Sequence, residues 1–300
     1  MGIACPLTDE RFDGVDQQLA QMNRHLNYDE ITLALICYNQ TMSTDKQTIA
    51  WYNEHAADYT HHVRTPNESI YHSLYEKPAM YGLLPDLKTK TVISLGCGSG
   101  EDCHYLSQQG AKQVEGIDIS EGLIGIAKES YPECNFQVMD MERLTFDDGS
   151  FGFAYSSLAV HYVEKWDKLL SEAFRVLKPG SFFLFSCNHP LANALAITRD
   201  DDEIKSAELS RKRDKRANTI EIVGDYLDRQ ITSINGWTTW YKSISEMSNE
   251  ISDAGFMIAN IHEPLPLAKM REVSLSDFEK LRKIPDFVIF KLWKPTSPIQ

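Results

Sequence analysis

The chain has 300 residues, of which 42% are hydrophobic and 24% charged, as is usual for a folded globular protein. This composition excludes fibrous, low-complexity and mostly disordered proteins, and the length suits two domains or one α/β domain with insertions. Asp and Glu number 43 against 30 Lys and Arg, so the net charge is −13. A dedicated nucleic-acid binder normally presents a basic face, which this balance disfavours.

The cysteine pattern and the apolar runs indicate the environment in which the chain works. Six cysteines are scattered with no C-x-x-C pair and no metal-ligand spacing, which predicts reduced thiols and no metal site. There is no basic-then-apolar signal peptide, and no apolar run is long enough to span a bilayer. These features predict a cytoplasmic protein that acts away from membranes.

Two N-terminal segments precede the main part of the chain. Residues 1–41 carry apolar residues at helical spacing and are predicted to be a helical extension. Residues 42–89 are predicted to be a helical lid, whose first helix is capped by Ser43 or Thr44. Because this helix follows Met42 directly, we interpret Met42 as a working start site and the extension as dispensable.

From about residue 90, short β-rich segments alternate with amphipathic helices. The predicted strands of this region cover residues 91–95, 113–117, 136–139, 151–155 and 181–186. The clearest helix carries apolar residues from Trp166 to Leu177 at helical spacing, and a Lys-Pro-Gly sequence ends it. Apolar strands that alternate with helices predict a parallel sheet covered on both faces.

The C-terminal part completes the main domain, which we predict to span residues 90–300. Two β-like segments, 256–261 and 286–293, lack a long crossover helix between them, so we expect them to pair antiparallel at the sheet edge. The predicted fold class is α/β: a doubly wound, Rossmann-like sheet of seven strands with an antiparallel C-terminal edge hairpin, a helical N-terminal extension and a lid insertion.

Residues 188–242 interrupt the strand–helix order with mixed charged and aromatic residues, and we interpret them as a lid insertion that selects the substrate. Aromatic residues of the two lids would wall an apolar pocket: Trp237, Trp240, Tyr241, Tyr226, Trp51 and Tyr52. The alternative is that they form a small core of the lid itself. The basic run at 210–216 is interpreted as a solvated helix face.

A glycine-rich loop, residues 96–100 (Gly-Cys-Gly-Ser-Gly), follows the first strand and opens a helix. In an open α/β sheet the ligand binds beyond the carboxyl ends of the strands, and glycine lets it approach the backbone. Asp118 ends the second strand, where a carboxylate accepts hydrogen bonds from ribose hydroxyls, although it can equally cap the next helix. Loop and acid together predict an adenosine-containing cofactor.

Glu101 discriminates between cofactors of this kind. It stands where a dinucleotide-binding motif has its third glycine, and a carboxylate there would repel a pyrophosphate at the positive end of the helix. A ligand with an amino group and no phosphate suits this position better. S-adenosylmethionine is such a ligand, whereas an NAD-dependent oxidoreductase is disfavoured.

Five segments in order resemble the motifs of class I S-adenosylmethionine-dependent methyltransferases of the type 11-like kind. Residues 92–100 resemble motif I, 116–120 the segment that follows it, and 140–148 the acidic loop after the third strand. Residues 156–162 and 175–180 resemble the later motifs. The resemblance covers about residues 90–187, and the antiparallel final strands also match the family.

The resemblance implies which residues contact S-adenosylmethionine. For the methionine portion these are Gly96, Cys97, Gly98, Gly100, Ser156 and Ser157. For adenosine they are Asp118 at the ribose diol, Ile119 against the adenine ring, Asp140 at its exocyclic amine, and Met141 through its backbone N–H. Tyr59, in the N-terminal lid, matches a position that folds over the cofactor in related enzymes.

Methyl transfer demands mainly that the acceptor be aligned with the methyl group and that water be excluded. An oxygen or nitrogen acceptor also needs a proton removed, for which a histidine is well suited. His161 and His189 lie just beyond the fourth and fifth strands and are the candidate general bases. The alternative for each is a packing role beside its neighbours.

The sequence therefore predicts an S-adenosylmethionine-dependent methyltransferase that acts by in-line displacement on an oxygen or nitrogen atom of a small-molecule acceptor. The expected product is S-adenosylhomocysteine, and neither nucleic acid nor a membrane is expected as a partner. A monomer or a homodimer is expected. The alternatives are a protein that binds the cofactor without turnover and, more remotely, the NAD-dependent oxidoreductase.

Overall fold

The computed structural model of the protein describes residues 44–191, 210–214, 219–223, 230–234 and 237–297, and the three short segments among these are described by their backbone alone. The predicted extension at 1–41, the Met42 start, Tyr226 and most of the lid insertion lie outside the described residues. In the described part of the chain, none of the helices combines the length and apolar character that a membrane span requires.

From residue 91 to residue 188 the strands and helices follow the order that the sequence predicts, whereas residues 210–214, interpreted from the sequence as part of a solvated helix face, form a strand. The strands are β1 (Thr91–Leu95), β2 (Gln113–Asp118), β3 (Asn135–Val138), β4 (Phe151–Ser156), β5 (Leu177–Asn188), β6 (Ser210–Asp214), β7 (Thr219–Val223), β8 (Gln230–Ile234), β9 (Trp237–Tyr241), β10 (Met257–His262) and β11 (Phe287–Trp293). The α-helices are α1 (Lys46–Glu54), α2 (Ala56–Arg64), α3 (Lys77–Gly82), α4 (Glu101–Gln108), α5 (Glu121–Ser130), α6 (Asp167–Val176), α7 (Ile244–Asp253), α8 (Met270–Val273) and α9 (Leu275–Leu281). A π-helix, His72–Glu76, leads into α3.

The main sheet has seven strands in the order β10-β11-β5-β4-β1-β2-β3. Strands β1 to β5 pair in parallel, whereas β11 runs antiparallel to both β5 and β10. The predicted doubly wound sheet and its antiparallel C-terminal hairpin are thus confirmed. Because β1 and β4 are neighbours, the loops after them open at the same edge of the sheet, which is where such folds bind ligands.

The central strands of the sheet are buried on both faces, as the predicted alternation requires. One apolar cluster joins α6 and α7 to the sheet, with Trp166 and Leu170 from the predicted stripe almost fully buried. A second cluster, on the other face, includes Met80 of α3 and Leu106 of α4. Because helices pack against both faces, the strand ends are held in fixed positions, and so are the starts of the loops that follow them.

Several local boundaries differ from the prediction. The N-cap of α1 is Asp45, whose side chain accepts a hydrogen bond from the Thr48 backbone N–H at 2.9 Å, rather than Ser43 or Thr44. The helix then breaks at His55, so that Tyr59 lies on the separate helix α2. Strand β5 also begins earlier than expected because Leu177 already pairs with β4, across an irregular register.

The N-terminal helix α1 is fixed to the sheet domain by side chains. Oδ1 of Asn53 accepts hydrogen bonds from the Ser120 hydroxyl at 2.8 Å and from the Gly122 backbone N–H at 3.2 Å. Ser120 is also the N-cap of α5, as predicted. On the other side of α1, the Thr48 hydroxyl accepts from the Thr238 backbone N–H of β9 at 2.9 Å. Helix α1 therefore lies between α5 and β9.

We predict that Gly100→Ala destabilises the fold more than Gly149→Ala. Both glycines have positive φ angles, 93° and 63°, so each substitution costs about 1–2 kcal/mol of backbone strain. A Cβ at Gly100 would also lie 2.9 Å from the Phe136 ring, whereas none of the described atoms lies within 4 Å of a Cβ at Gly149. Urea unfolding should show an additional loss of about 1–3 kcal/mol for Gly100→Ala. Equal losses would contradict a packing role for Gly100.

Candidate active site

A cavity opens at the carboxyl ends of β1, β2 and β4, and we call it the glycine-loop cavity. Its walls include residues that the sequence predicted as cofactor contacts: Tyr59, Gly96, Gly98, Asp118, Ile119, Met141 and Ser157. The rest of its described lining comes from α1, α5 and the segment after β4: Thr44, Thr48, Ile49, Tyr52, Leu123, Leu158, Ala159 and Tyr162. The N-terminal helices thus cover a site that the sheet alone would leave open.

Asp118 holds the glycine loop in place. Its Oδ2 accepts a hydrogen bond from the Gly98 backbone N–H at 2.8 Å, and its Oδ1 accepts one from the Ser120 N–H at 2.9 Å. Burial raises the pKa of this carboxyl above its usual value. A carboxylate offers about four lone-pair directions, so two donors leave capacity for the hydroxyls of a diol.

Gly96 must be a glycine for steric reasons. Its φ is 66°, and a Cβ at this position would lie 2.4 Å from the Cβ of Ala159 in the segment after β4. The backbone of the glycine loop at Gly96 therefore packs directly against the Ala159 side chain, which follows the neighbouring strand β4, and no side chain fits between them. This close packing sets one wall of the glycine-loop cavity.

Four predicted cofactor contacts lie near the cavity without lining it in this structure. Cys97 packs into an apolar cluster, and Gly100 faces the Phe136 and Tyr131 rings. Asp140 accepts a hydrogen bond from the Glu142 backbone N–H at 2.9 Å, and the Ser156 hydroxyl donates to the Leu95 carbonyl at 2.8 Å. Each of these four residues stabilises the local structure from which the cavity is built.

The carboxylate of Glu101 also has a protein partner. Arg64 of α2 donates from Nε to its Oε1 at 2.6 Å, and the Ser99 hydroxyl donates to its Oε2 at 2.8 Å. Glu101 is not among the described lining residues of the glycine-loop cavity or of the cavity that adjoins it. Its charge is therefore compensated by the N-terminal lid, and the sequence argument that gave it to a ligand amino group omitted this partner.

A second cavity adjoins the first, and we call it the aromatic cavity. The two share Tyr52, Tyr59, Leu158 and Tyr162. The other described residues of the aromatic cavity come from the N-terminal lid, the 3-10 helix after β4, strand β9, and the ends of β5 and β11: Trp51, His62, His72, His161, Asn188, Trp237, Thr239, Tyr241 and Phe287. Trp51, Tyr52, Trp237 and Tyr241 thus line a pocket as the sequence analysis expected, whereas Trp240 is not among its lining residues.

Tyrosine side chains separate the two cavities. The hydroxyls of Tyr52 and Tyr162 are hydrogen-bonded at 2.5 Å, although their residues are 110 positions apart. The Tyr59 ring meets the Tyr52 ring edge to face, with centroids 5.3 Å apart. Burial raises the pKa of Tyr162 to about 12, so this hydroxyl stays protonated at neutral pH. The boundary between the cavities is therefore uncharged.

The two candidate bases lie in different surroundings. His161, on the short 3-10 helix Val160–Tyr162, lines the aromatic cavity, and its Nδ1 is buried without a hydrogen-bond partner among the described residues. Burial lowers the pKa of His161 to about 3, so its ring is neutral. His189 lines neither cavity: its Nε2 lies 3.0 Å from Oε1 of Glu263, and its Nδ1 accepts from the Leu191 N–H at 3.1 Å.

Sequence reasoning missed Glu76, which is fully buried at the end of the π-helix. Its Oε1 accepts hydrogen bonds from the hydroxyls of Ser157 at 2.9 Å and Ser186 at 2.5 Å. Its Oε2 is buried without a partner among the described residues, and burial raises the pKa of Glu76 to about 7. In the sequence, Glu76 is marked only by its position directly after Leu74 and Tyr75, and it belongs to no recognisable motif.

Leu158, at the boundary of both cavities, has a positive φ of 48°. Such a conformation costs about 1–2 kcal/mol for a residue with a Cβ and is found where surrounding contacts enforce it. Here the Leu158 backbone N–H donates to the Ser186 hydroxyl at 2.9 Å, and that hydroxyl donates to Glu76. The buried carboxyl thus supports the strained residue through one serine.

Comparison with known proteins agrees with this geometry. Residues 93–185 match the methyltransferase domain family. A crystal structure of an S-adenosylmethionine-dependent methyltransferase from Mesorhizobium loti, 26% identical, superposes with a TM-score of 0.59 over 72% of this chain and 96% of that one. The sheet order is therefore that of a class I methyltransferase.

Two sequence relatives match parts of the chain. An uncharacterized protein of Haemophilus influenzae is 27% identical over 204 residues, which cover 64% of this chain and 77% of that protein. The malonyl-acyl-carrier protein O-methyltransferase of Pectobacterium atrosepticum is 28% identical over 107 residues, covering 36% of this chain and 42% of that enzyme. The matched region is thus under half of the latter enzyme. Residues 93–185 thus match a methyltransferase domain, and the comparisons support a class I S-adenosylmethionine-dependent methyltransferase with S-adenosylmethionine as its cofactor.

We predict that Glu76→Gln changes how stability depends on pH. Because the folded-state pKa of Glu76 is raised to about 7 from 4.5, the native protein binds more protons than the unfolded chain between these values. Its contribution to the free energy of unfolding is present below about pH 4.5 and is lost as pH rises to about 7. Gln cannot ionise, so its free energy of unfolding does not fall in this window. The variant should therefore become more stable relative to the wild type by up to about 1.4 kcal/mol for each pH unit between these values.

Denaturant unfolding of both proteins from pH 4.5 to 8 measures this difference. Glu76→Ala is the matched variant that leaves the Ser157 and Ser186 hydroxyls without their acceptor, and it should lose about 1–3 kcal/mol at all pH values. Parallel pH curves for the wild type and Glu76→Gln would contradict the raised pKa.

Proposed function

We propose that the protein transfers the methyl group of S-adenosylmethionine to an oxygen or nitrogen atom of a small-molecule acceptor. The observation that carries this proposal is the pair of adjoining cavities, which share Leu158 and three tyrosines. A donor in the glycine-loop cavity and an acceptor in the aromatic cavity would meet at this boundary. Such an arrangement holds the reactants together and excludes water, which is most of what this reaction needs.

The residues of the glycine-loop cavity fit the cofactor in their chemistry. Asp118 has acceptor capacity for the ribose hydroxyls, and Ile119 and Met141 supply apolar surface for the adenine ring. Gly96, Gly98 and the Ser157 hydroxyl surround the place expected for the methionine portion. Cys97, Gly100, Asp140 and Ser156 would act on the cofactor by shaping these walls.

Bound S-adenosylmethionine supplies a sulfonium-activated methyl group, so the acceptor lone pair forms the new bond to carbon while the carbon–sulfur bond breaks and sulfur keeps its electron pair. The acceptor's proton must leave, and we assign it to Nδ1 of His161. A neutral histidine with a pKa of about 3 takes this proton only as methyl transfer makes the acceptor strongly acidic. His189, tied to Glu263, is not assigned a catalytic role.

We predict that Asp118→Asn weakens the binding of S-adenosylhomocysteine about tenfold to a hundredfold, because a charge-assisted hydrogen bond to a hydroxyl contributes about 1.5–3 kcal/mol. Calorimetric titration measures this affinity directly. The matched control is Asp148→Asn, which alters an exposed carboxylate paired with Arg175, and its affinity should equal that of the wild type. Tight binding by Asp118→Asn would contradict the assigned role of Asp118.

With an accepted substrate, His161→Gln should lower kcat by about 10²–10⁴ while leaving S-adenosylhomocysteine affinity unchanged, because proton removal is lost and cofactor binding is not. His189→Gln is the matched control, since both histidines follow neighbouring strands and only His161 lines a cavity. Steady-state kinetics of the two variants test the assignment. A larger loss of kcat in His189→Gln than in His161→Gln would reverse it.

A further inference from the structure

The walls of the aromatic cavity restrict the chemistry of the acceptor beyond what the methyl transfer itself requires. Rings from three parts of the chain surround it: Trp51 of α1, Tyr162 after β4, and Trp237 of β9. The Trp237 centroid lies 6.5 Å from that of Trp51 and 6.1 Å from that of Tyr162. Aromatic side chains in this number favour a planar ligand, which can offer its faces and edges to several rings.

The same walls carry little charge. None of the described residues that line the aromatic cavity is Lys, Arg, Asp or Glu. Two of its three histidines are neutral, because burial lowers the pKa of His72 to about 4 and of His161 to about 3. An anionic ligand would lose its hydration here without meeting a Lys or Arg side chain, and the net charge of −13 repels it from a distance.

One buried polar atom of the described walls lacks a hydrogen-bond partner. Nδ1 of His161 is buried without a hydrogen-bond partner among the described residues, and an unpaired buried nitrogen costs about 1–3 kcal/mol. A ligand hydroxyl or ring N–H would satisfy it. His161 directly precedes Tyr162, at the boundary with the glycine-loop cavity, so a group bonded to its ring would lie on the side from which the methyl group comes.

We propose that the acceptor is an uncharged, planar aromatic molecule with a hydroxyl or ring N–H group, held by the rings of Trp51 and Trp237 and by His161. This inference rests on the proposed function, since it takes the aromatic cavity as the acceptor site. The acceptor loses its proton to His161 as its oxygen or nitrogen bonds to the methyl carbon, so no further reactant is needed.

Calorimetric titration with four matched probes tests the proposal, using the full chain with and without S-adenosylhomocysteine. The probes are 2-naphthol, the anionic 2-naphthoate, the cationic N-methylquinolinium and the saturated, non-planar trans-decahydro-2-naphthol. We expect 2-naphthol to bind about tenfold or more tightly than each of the others. Trp237→Leu should weaken 2-naphthol binding about tenfold, whereas Trp240→Leu, on the same strand but absent from the lining, should leave it unchanged.

Several results would overturn the acceptor class. Equal or tighter binding of 2-naphthoate, or of decahydronaphthol, would refute the charge or the planarity requirement, and tighter binding of N-methylquinolinium would show a cation site. Failure of all four probes to bind protein that does bind S-adenosylhomocysteine would refute the acceptor class and leave the methyltransferase assignment intact. Binding of 2-naphthol by protein that does not bind S-adenosylhomocysteine would refute the proposed function instead.

Discussion

A single buried carboxyl, that of Glu76, joins the parts from which the site is assembled. Its hydrogen bonds to Ser157 and Ser186 connect the N-terminal lid to the ends of β4 and β5. Through Ser186 it also supports the strained backbone of Leu158, which faces both cavities. A charged group would be costly at this depth, so the environment favours the protonated acid below about pH 7. The geometry of the boundary thus depends on one buried carboxyl.

The two cavities differ in character although they share a wall. The glycine-loop cavity contains the Asp118 carboxylate and a loop held by backbone hydrogen bonds, which suits a polar ligand with a diol. The described walls of the aromatic cavity are mainly aromatic rings and contain no Lys, Arg, Asp or Glu. A charged donor and an uncharged acceptor would each find a matching environment, and the hydrogen-bonded tyrosine pair Tyr52–Tyr162 lies between them.

The sequence predicted the features that depend on local patterns, namely the strands, the helices and the position of Asp118. It did not predict contacts between residues that are far apart along the chain. The strand–helix alternation, the apolar stripe of α6 and the position of Asp118 follow from periodicity and spacing, and the structure agrees with them. Ser156 and Ser157 are adjacent, yet the Ser156 hydroxyl donates to the Leu95 carbonyl, and only Ser157, the first residue after β4, lines the cavity. Glu76 meets Ser186 across 110 positions, and one sequence alone gives no sign of that contact.

The most direct test of this account is a crystal structure of the protein with S-adenosylhomocysteine. We predict that the ribose lies against Asp118, that the adenine lies between Ile119 and Met141, and that the sulfur faces the boundary at Leu158 and Tyr162. His161 should then lie across that boundary on the acceptor side. A ligand whose sulfur points away from the aromatic cavity, or which occupies the aromatic cavity itself, would contradict the two-cavity arrangement.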